Sequence, residues 1–378
     1  MHLALCTQQF GNYWSGLGTY STLLARGLAK RGIKLTIISP GDPLADLDAN
    51  YIKIRPSSWD PTHGGWFSLA RAYRKQLRSI DADIVHFTDA REALGYSGKI
   101  PALGTLHDDY FARHHWVPWY YRKDYVDWVK RYLYYSFVSC AERRALRNLN
   151  MLIANSESTA HTISNRYVID HERIQTIYIQ PVLKAASNSG TTVSDDSPKT
   201  LLFVGGNIQR KGLPNVLRAM AMMKARNPKL ILRVLGKNQN IEKMRELASR
   251  LGLKEQVRFD GWVHPSEMTN YYQKSSIFIM PSLMEGYGLV FLEAMSNGVP
   301  VIGGNVGGSR ELIQDGKNGL LVDPLDVNDI AGSIETLLTD DELRNQLISG
   351  GQETISNLDP DAMIDATMDL YNRLLVRS

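Results

Sequence analysis

The chain has 378 residues, 43% of them hydrophobic and 22% charged, and a formal net charge of +4. That length is more than one core fills, so two domains are expected, and the composition is that of an ordinary globular protein, not a disordered or fibrous one. No apolar run approaches the roughly 18 residues of a membrane span, the N-terminus lacks a basic region followed by a long apolar one, and the two cysteines, Cys6 and Cys140, show no metal-ligand spacing, which together lead us to expect a cytoplasmic protein.

Charge is unevenly spread: the first 182 residues carry +6 and the remainder −2. An excess of that sign helps an N-terminal domain meet an anionic surface. Residues 2–7 read as a buried strand, 8–18 as a loop and about 19–31 as an amphipathic helix, with Gly16 and Gly18 at the helix start. A dinucleotide fingerprint would need a third glycine where this chain has Ser21, so nicotinamide binding is not expected. The pair reads either as a phosphate-facing loop or as a plain strand-to-helix turn.

Further strand-like runs at 34–39, 83–87, 102–106, 151–154 and 174–179 alternate with helical segments. That alternation predicts a parallel, doubly wound sheet whose ligand crevice lies at the carboxyl ends of the strands. His107 stands directly after the fourth strand. The Asp81-Ala82-Asp83 triplet only introduces a strand and is not read as a metal site. Twelve of the chain's 34 aromatic residues fall within residues 110–137, with Arg122, Lys123, Lys130 and Arg131 interleaved. Tyr121, Tyr125, Trp128, Tyr132 and Tyr135 follow helical spacing and predict one aromatic face. Such a face either packs on the sheet or lies open as a ligand groove or membrane-interface patch. No recognisable nucleic-acid module accompanies it, and nucleic acid is not an expected partner.

Residues 184–199 are small and polar and read as a linker. The second domain restarts with a strand at 200–204, a loop bearing Gly205, Arg210, Lys211 and Gly212, and a helix to about 226. Strands at 230–235, 257–259, 277–280, 299–302 and 319–322 follow, with helices at 241–251, 265–274 and 361–376. Between the strand at 277–280 and Pro300 lies PSLMEGYGLVFLEAMSNGVP, read as a short turn and a helix that opens at Glu285-Gly286-Tyr287-Gly288 and runs to about Asn297. A helix start already offers unpaired N–H groups, and glycines let an anion approach them. Glu285 and Glu293 are eight residues apart, about 12 Å of rise on a helix, beyond the spacing of a hydrolase carboxylate pair. Two acids at the ends of an anion-binding turn suit a long polyhydroxylated phosphate ligand, which is the shape of a sugar nucleotide.

The run PSLMEGYGLVFLEAMSNGVPVIGGNVGGSRELI, continued by Gly307-Gly308, Glu311 and DGKNGLLVDP, resembles the E-x7-E signature of the retaining GT-B glycosyltransferases of family four. The resemblance implies an α/β protein of two Rossmann-like doubly wound domains facing a central cleft. Residues 1–183 would form the acceptor side, with the helix at 361–378 packing back on it, and 200–360 the nucleotide-sugar side. It further implies catalytic roles for His107, Lys211 and Glu285, and donor contacts from Gly16, Gly18, Arg210, Lys211, Gly286, Tyr287, Gly288, Leu289 and Glu293. Relatives commonly read Gly-Arg-Leu-x-x-x-Lys-Gly before the second-domain helix; here the arginine position is Gly206, and Arg210 is the replacement considered. The implied reaction moves a hexosyl unit from a UDP- or GDP-linked donor to a glycan or lipid-linked acceptor, with no cofactor and no required metal. Peripheral contact with the inner membrane face through residues 110–137 goes with it. A soluble small acceptor, a polysaccharide synthase and a binding module without turnover are the alternatives.

Overall fold

The computed structural model describes residues 1–11, 15–58, 60, 65–109, 111–112, 125–185, 199–237 and 241–377. Most of the expected linker, and residues 110 and 113–124 of the aromatic stretch, lie outside them. The chain forms two compact units, Met1–Pro181 together with Asp359–Ser378, and Val182–Leu358.

The first unit contains β1 (His2–Cys6), β2 (Lys34–Ser39), β3 (Asn50–Lys53), β4 (Ile84–Phe87), β5 (Ala102–Leu106), β6 (Met151–Ala154) and β7 (Ile174–Thr176). They form one parallel sheet in the order β3-β2-β1-β4-β5-β6-β7. The second contains β8 (Thr200–Val204), β9 (Ile231–Leu235), β10 (Val257–Gly261), β11 (Ile277–Met280), β12 (Val301–Gly304) and β13 (Leu320–Val322), ordered β10-β9-β8-β11-β12-β13. Helices cover both faces of such sheets, so β4, β5, β6 and β11 are buried throughout; β6 and β11 read as unbroken apolar runs, and β4 and β5 carry one polar residue each, His86 and Thr105.

Both sheets reverse their build-up direction once, between β1 and β4 and between β8 and β11. The loops leaving the carboxyl ends of those neighbours turn apart and leave a crevice between them. In the second unit these are the loops carrying Lys211 and Glu285.

Several boundaries differ from the sequence reading. The first helix is Gly16–Lys30, so Gly16 and Gly18 lie in its first turn and not ahead of it. The helix of the glutamate motif is Leu289–Ser296, not 285–297. Gly288 caps it at φ 97°, a left-handed conformation that ends the preceding turn and starts the helix four residues later than expected. Glu285 is therefore a loop residue, and the 12 Å rise computed for a continuous helix does not describe its separation from Glu293.

Candidate active site

The loop from β8 places Lys211 by steric exclusion. A Cβ on Gly205 would stand 2.3 Å from Lys211 Cδ, so only glycine there lets the lysine stem lie back across the strand end. Gly212 follows at φ 86°, and a Cβ on it would meet the Pro281 carbonyl oxygen at 2.0 Å. This contact seats the loop on the turn that leaves β11.

The two loops are then bonded together. Leu283 N donates to Arg210 O at 2.8 Å, and Arg210 Nη1 donates to Met284 O at 2.8 Å. Lys211 Nζ lies 3.2 Å from Glu285 Oε2 and 3.3 Å from Met280 Sδ. Ser282 Oγ donates to the same Glu285 oxygen at 3.0 Å, and Gly308 N donates to the Glu285 carbonyl at 2.9 Å. Glycine is required on the far side too: a Cβ on Gly307 would lie 2.2 Å from Glu285 O and one on Gly308 2.0 Å from Gly286 O.

Burial alone would raise the Glu285 carboxyl, but Lys211, Arg210 and Ser282 outweigh it and hold the group below the usual carboxylate range. Burial lowers Lys211, and Glu285 offsets only part of that effect. The result is an anion locked among cations, next to the helix Leu289–Ser296. That helix has no side-chain cap; Phe291 N donates back to Gly288 O at 2.9 Å, and the amides ahead of it at the helix start are the ones a ligand can meet. Gly206, where relatives carry arginine, faces open space: its nearest neighbour is the Lys237 carbonyl oxygen, 3.8 Å from where a Cβ would sit. Arg210 bonds the Met284 carbonyl of the Glu285 turn, and none of its atoms lies within 4 Å of the Gly206 Cβ position.

Glu293 sits on the helix itself. Tyr272 donates to its Oε2 at 2.8 Å, and burial pushes the carboxyl up in spite of Tyr272 and Lys211. The second unit thus brings Lys211, Arg210, Glu285, Gly286, Tyr287, Gly288 and Leu289 together around one turn.

In the first unit the expected glycines have unequal surroundings. Gly18 is buried and donates its amide to Ser15 Oγ at 3.1 Å, the helix N-cap, whereas Gly16 is exposed. His107 is half-buried at the end of β5, its ring edge-on to Tyr20 at 5.1 Å. Its Nε2 lies 2.6 Å from Thr88 O; a carbonyl only accepts, so Nε2 carries the proton and Nδ1 remains the acceptor. Burial lowers the imidazole against the opposing pull of Asp89, which keeps the ring neutral at pH 7.

Sequence reasoning missed the polar groups around His107. Asp89 and Arg91 form a twofold pair at 2.9 and 2.6 Å beyond the end of β4. Glu142 accepts from the Tyr167 hydroxyl, and burial pushes its carboxyl up to about 8. Each is an ordinary charged or polar residue in sequence, and an Asp-x-Arg directly after a buried strand is the only local signal among them.

Residues 14–179 match the family described as Glycosyltransferase Family 4, and residues 187–354 match Glycosyl transferases group 1. The chain belongs to the family 4 glycosyltransferases. This glycosyltransferase is 28% identical over 255 residues to a D-inositol 3-phosphate glycosyltransferase of Nocardioides sp., a match covering 61% of this chain and only 55% of that one. Its fold is GT-B. It resembles WaaG, a glycosyltransferase involved in lipopolysaccharide biosynthesis, with TM-score 0.77 and 19% identity over 98% of this chain and 99% of that one. It also resembles Anabaena Alr3699/HepE, solved in complex with UDP-glucose, with TM-score 0.73 and 18% identity over 99% and 100%.

Proposed function

We propose that this glycosyltransferase moves a hexosyl unit, with retention, from a UDP- or GDP-linked sugar to a hydroxyl of a lipid-linked or cell-envelope glycan. The observation that carries the reading is Lys211 Nζ standing 3.2 Å from Glu285 beside the uncapped start of the helix Leu289–Ser296. As the donor bond breaks, negative charge grows on the leaving diphosphate, and a fixed ammonium with fixed amides stabilises it without reorganisation. In this reading Lys211 and the amides of Gly286 to Leu289 hold the diphosphate and the edge of the sugar. Glu285 accepts from sugar hydroxyls, and Glu293 from the ribose. Gly16, exposed in the first turn of the helix Gly16–Lys30, faces the phosphate. His107, neutral and with Nδ1 as its acceptor, takes a hydroxyl proton into a hydrogen bond. The diphosphate itself assists removal of the acceptor proton, and the charge is met by protein groups without a metal. The UDP-glucose bound by HepE and the lipopolysaccharide pathway of WaaG support the donor and acceptor classes.

The test is a donor panel read by nucleotide release in the presence of glycolipid acceptors. One UDP- or GDP-sugar should be turned over, Lys211→Ala should lose on the order of 10²–10³ in kcat, and chelator should leave the rate unchanged. Tight donor binding without turnover over any acceptor would favour the binding-module alternative. Turnover with soluble acceptors only would favour the small-acceptor one.

Membrane contact is part of the proposal, and the helix Tyr125–Arg147 supports it in a form the sequence did not give. The expected single aromatic face is split: Tyr135 is buried whereas Tyr132 is exposed. The outward stripe is Val126 (60% exposed), Lys130, Leu133 (62%) and Phe137 (52%), followed by the exposed Arg144 and Arg147. Apolar side chains flanked by cations suit an anionic interface. No described helix is long and apolar enough to cross a membrane. Leu133→Asp with Phe137→Asp should abolish sedimentation with phosphatidylglycerol vesicles at low salt; wild-type protein left in the supernatant would remove this part of the reading.

A further inference from the structure

The His107 ring is attached at Cγ and bonded at Nε2, which donates to Thr88 O at 2.6 Å. A ring held at those two points can still rock about the line between them, and rocking displaces Nδ1, the acceptor. Tyr20, on the helix Gly16–Lys30, stands against that motion: its ring meets the imidazole edge-on at 5.1 Å with 73° between the planes. Tyr20 is 2% exposed, and its hydroxyl is bonded to Thr105 Oγ1 at 2.9 Å, two residues before His107. The same Thr105 oxygen meets His86 Nε2 at 2.8 Å, and His86 Nδ1 meets the Tyr371 hydroxyl at 2.6 Å. The rings follow the same course, Tyr20 to His86 at 6.5 Å and His86 to Tyr371 at 5.8 Å. Four rings carried by four segments of the first unit thus form one run of contacts that ends at His107.

Within that run Tyr20, His86 and Tyr371 are buried, and only His107 is open enough to meet a ligand. A buried, hydrogen-bonded run that leads to one accessible acceptor is a mount for that acceptor. We propose that Tyr20 is the positioning residue of His107: its ring fixes the plane of the imidazole, so that Nδ1 is presented to a donor-sugar hydroxyl in one direction. The inference rests on the reading of His107 given above. Tyr20 touches no substrate atom; it acts through His107, and Thr105, His86 and Tyr371 hold Tyr20 in turn. Misplacing such a group by about 1 Å can cost on the order of 10² in rate, so a ring left free to rock would lower turnover more than donor binding.

Two measurements on the full chain test this. The first is NMR with isotope-labelled histidine, the His107 signals being assigned from His107→Gln. In wild type the imidazole should carry its proton on Nε2 alone at neutral pH. Tyr20→Leu removes the ring and keeps an apolar side chain; Tyr20→Met serves in its place should the leucine variant not fold. It should populate both tautomers and move the imidazole midpoint up, because water reaches a ring that burial had lowered. Asp89 and Asp108, which pull that midpoint up, and Arg91, which pulls it down, are the same in both proteins. Tyr20→Phe keeps the ring and should leave tautomer and midpoint as in wild type. The second measurement is turnover of whichever sugar nucleotide the donor panel finds. Tyr20→Leu should lower kcat about tenfold with KM for the donor within about threefold, and Tyr20→Phe should stay within about threefold on both. In a His107→Gln background Tyr20→Leu should cost nothing further. A wild-type His107 signature in Tyr20→Leu, the same loss of kcat with and without His107, or a loss in Tyr20→Phe equal to that in Tyr20→Leu overturns the inference and leaves the reading of His107 standing. Wild-type turnover in His107→Gln overturns both.

Discussion

Glu285, Glu293, Glu92 and Glu142 are buried or half-buried, and their neighbours give them different charges. Glu285 stays an anion because Lys211 and Arg210 outweigh its burial. Glu293 is raised, with Tyr272 and Lys211 tempering the effect of burial. Glu92 is fully buried with neither oxygen in a hydrogen bond of good geometry, and burial followed by Asp89 pushes it well above the usual range. Glu142 is pushed up to about 8, burial again prevailing over Arg91 and the Tyr167 hydroxyl. The last has a measurable consequence. Its unfolded value is 4.5 and its folded value about 8, so between those pH values the folded chain holds a proton that the unfolded chain has released. The stability this confers is complete below pH 4.5 and is lost as pH rises through 8. Glu142→Gln keeps an acceptor for Tyr167 and has no proton to lose. It should match wild type near pH 5 and exceed it in urea midpoint at pH 8, by an amount on the order of 1–3 kcal/mol. Parallel pH profiles for the two proteins would show that Glu142 is ionised in the fold.

At the scale of elements, the site depends on glycines of two kinds, and they separate stability from activity. A Cβ on Gly212 meets backbone, the Pro281 carbonyl at 2.0 Å, in a left-handed conformation. Gly212→Ala should therefore cost about 2–4 kcal/mol in thermal or urea unfolding. A Cβ on Gly205 meets only the flexible Lys211 stem, in an ordinary backbone conformation. Gly205→Ala should leave the melting temperature within about 2 °C of wild type yet lower donor turnover roughly tenfold by moving the ammonium. Similar losses of stability in both variants would mean that Gly205 serves the backbone and not Lys211. The same elements show what a sequence discloses. Strands buried on both faces, such as β6 and β11, are legible because nothing polar interrupts them, and β4 and β5 carry only one polar residue each, His86 and Thr105. The edge strand β3 is not, since Asn50 and Lys53 are exposed and its two inner residues only half-buried. Glu285, Gly286 and Gly288 are legible as an anion-binding turn, but the residue at which the helix begins is not. Gly286 and Gly288 are equally able to break a helix, and only the φ of 97° at Gly288 decides between them. Tyr272 and Glu142 stayed hidden because each is defined by a partner more than twenty residues away.

At the scale of the whole molecule, the last helix belongs to the unit in which the chain began. Pro360–Arg377 buries Met363, Ile364, Leu370, Tyr371 and Leu374 in the first unit. Gly27 gives it room, because a Cβ there would stand 2.4 Å from Ile364 Cγ1. Tyr371 reaches His86 Nδ1 at 2.6 Å in the middle of β4, and the other ring nitrogen bonds Thr105 Oγ1 at 2.8 Å. Burial holds that imidazole at about 3, so it stays neutral and its hydrogen bonds must be met inside the protein. Arg31 completes the seam with Asp365 at 2.7 Å and Asp361 at 3.1 Å, both aspartates exposed to solvent and the pairs worth little beside the apolar contacts. Five large side chains at about 1.5–3 kcal/mol each amount to roughly the whole stability of a typical domain, even as an upper bound. A chain ending at Leu358 should therefore lose the cooperative unfolding of its first unit. The second unit contains no residue of that helix, so UDP or GDP binding should persist with an affinity within about threefold of the full chain. Calorimetric scans with and without nucleotide separate the two: the ligand-shifted transition should survive and the other should vanish. Loss of nucleotide binding together with the first unit would mean that the second unit does not hold its site alone, and the assignment of the donor groups to Val182–Leu358 would have to be given up.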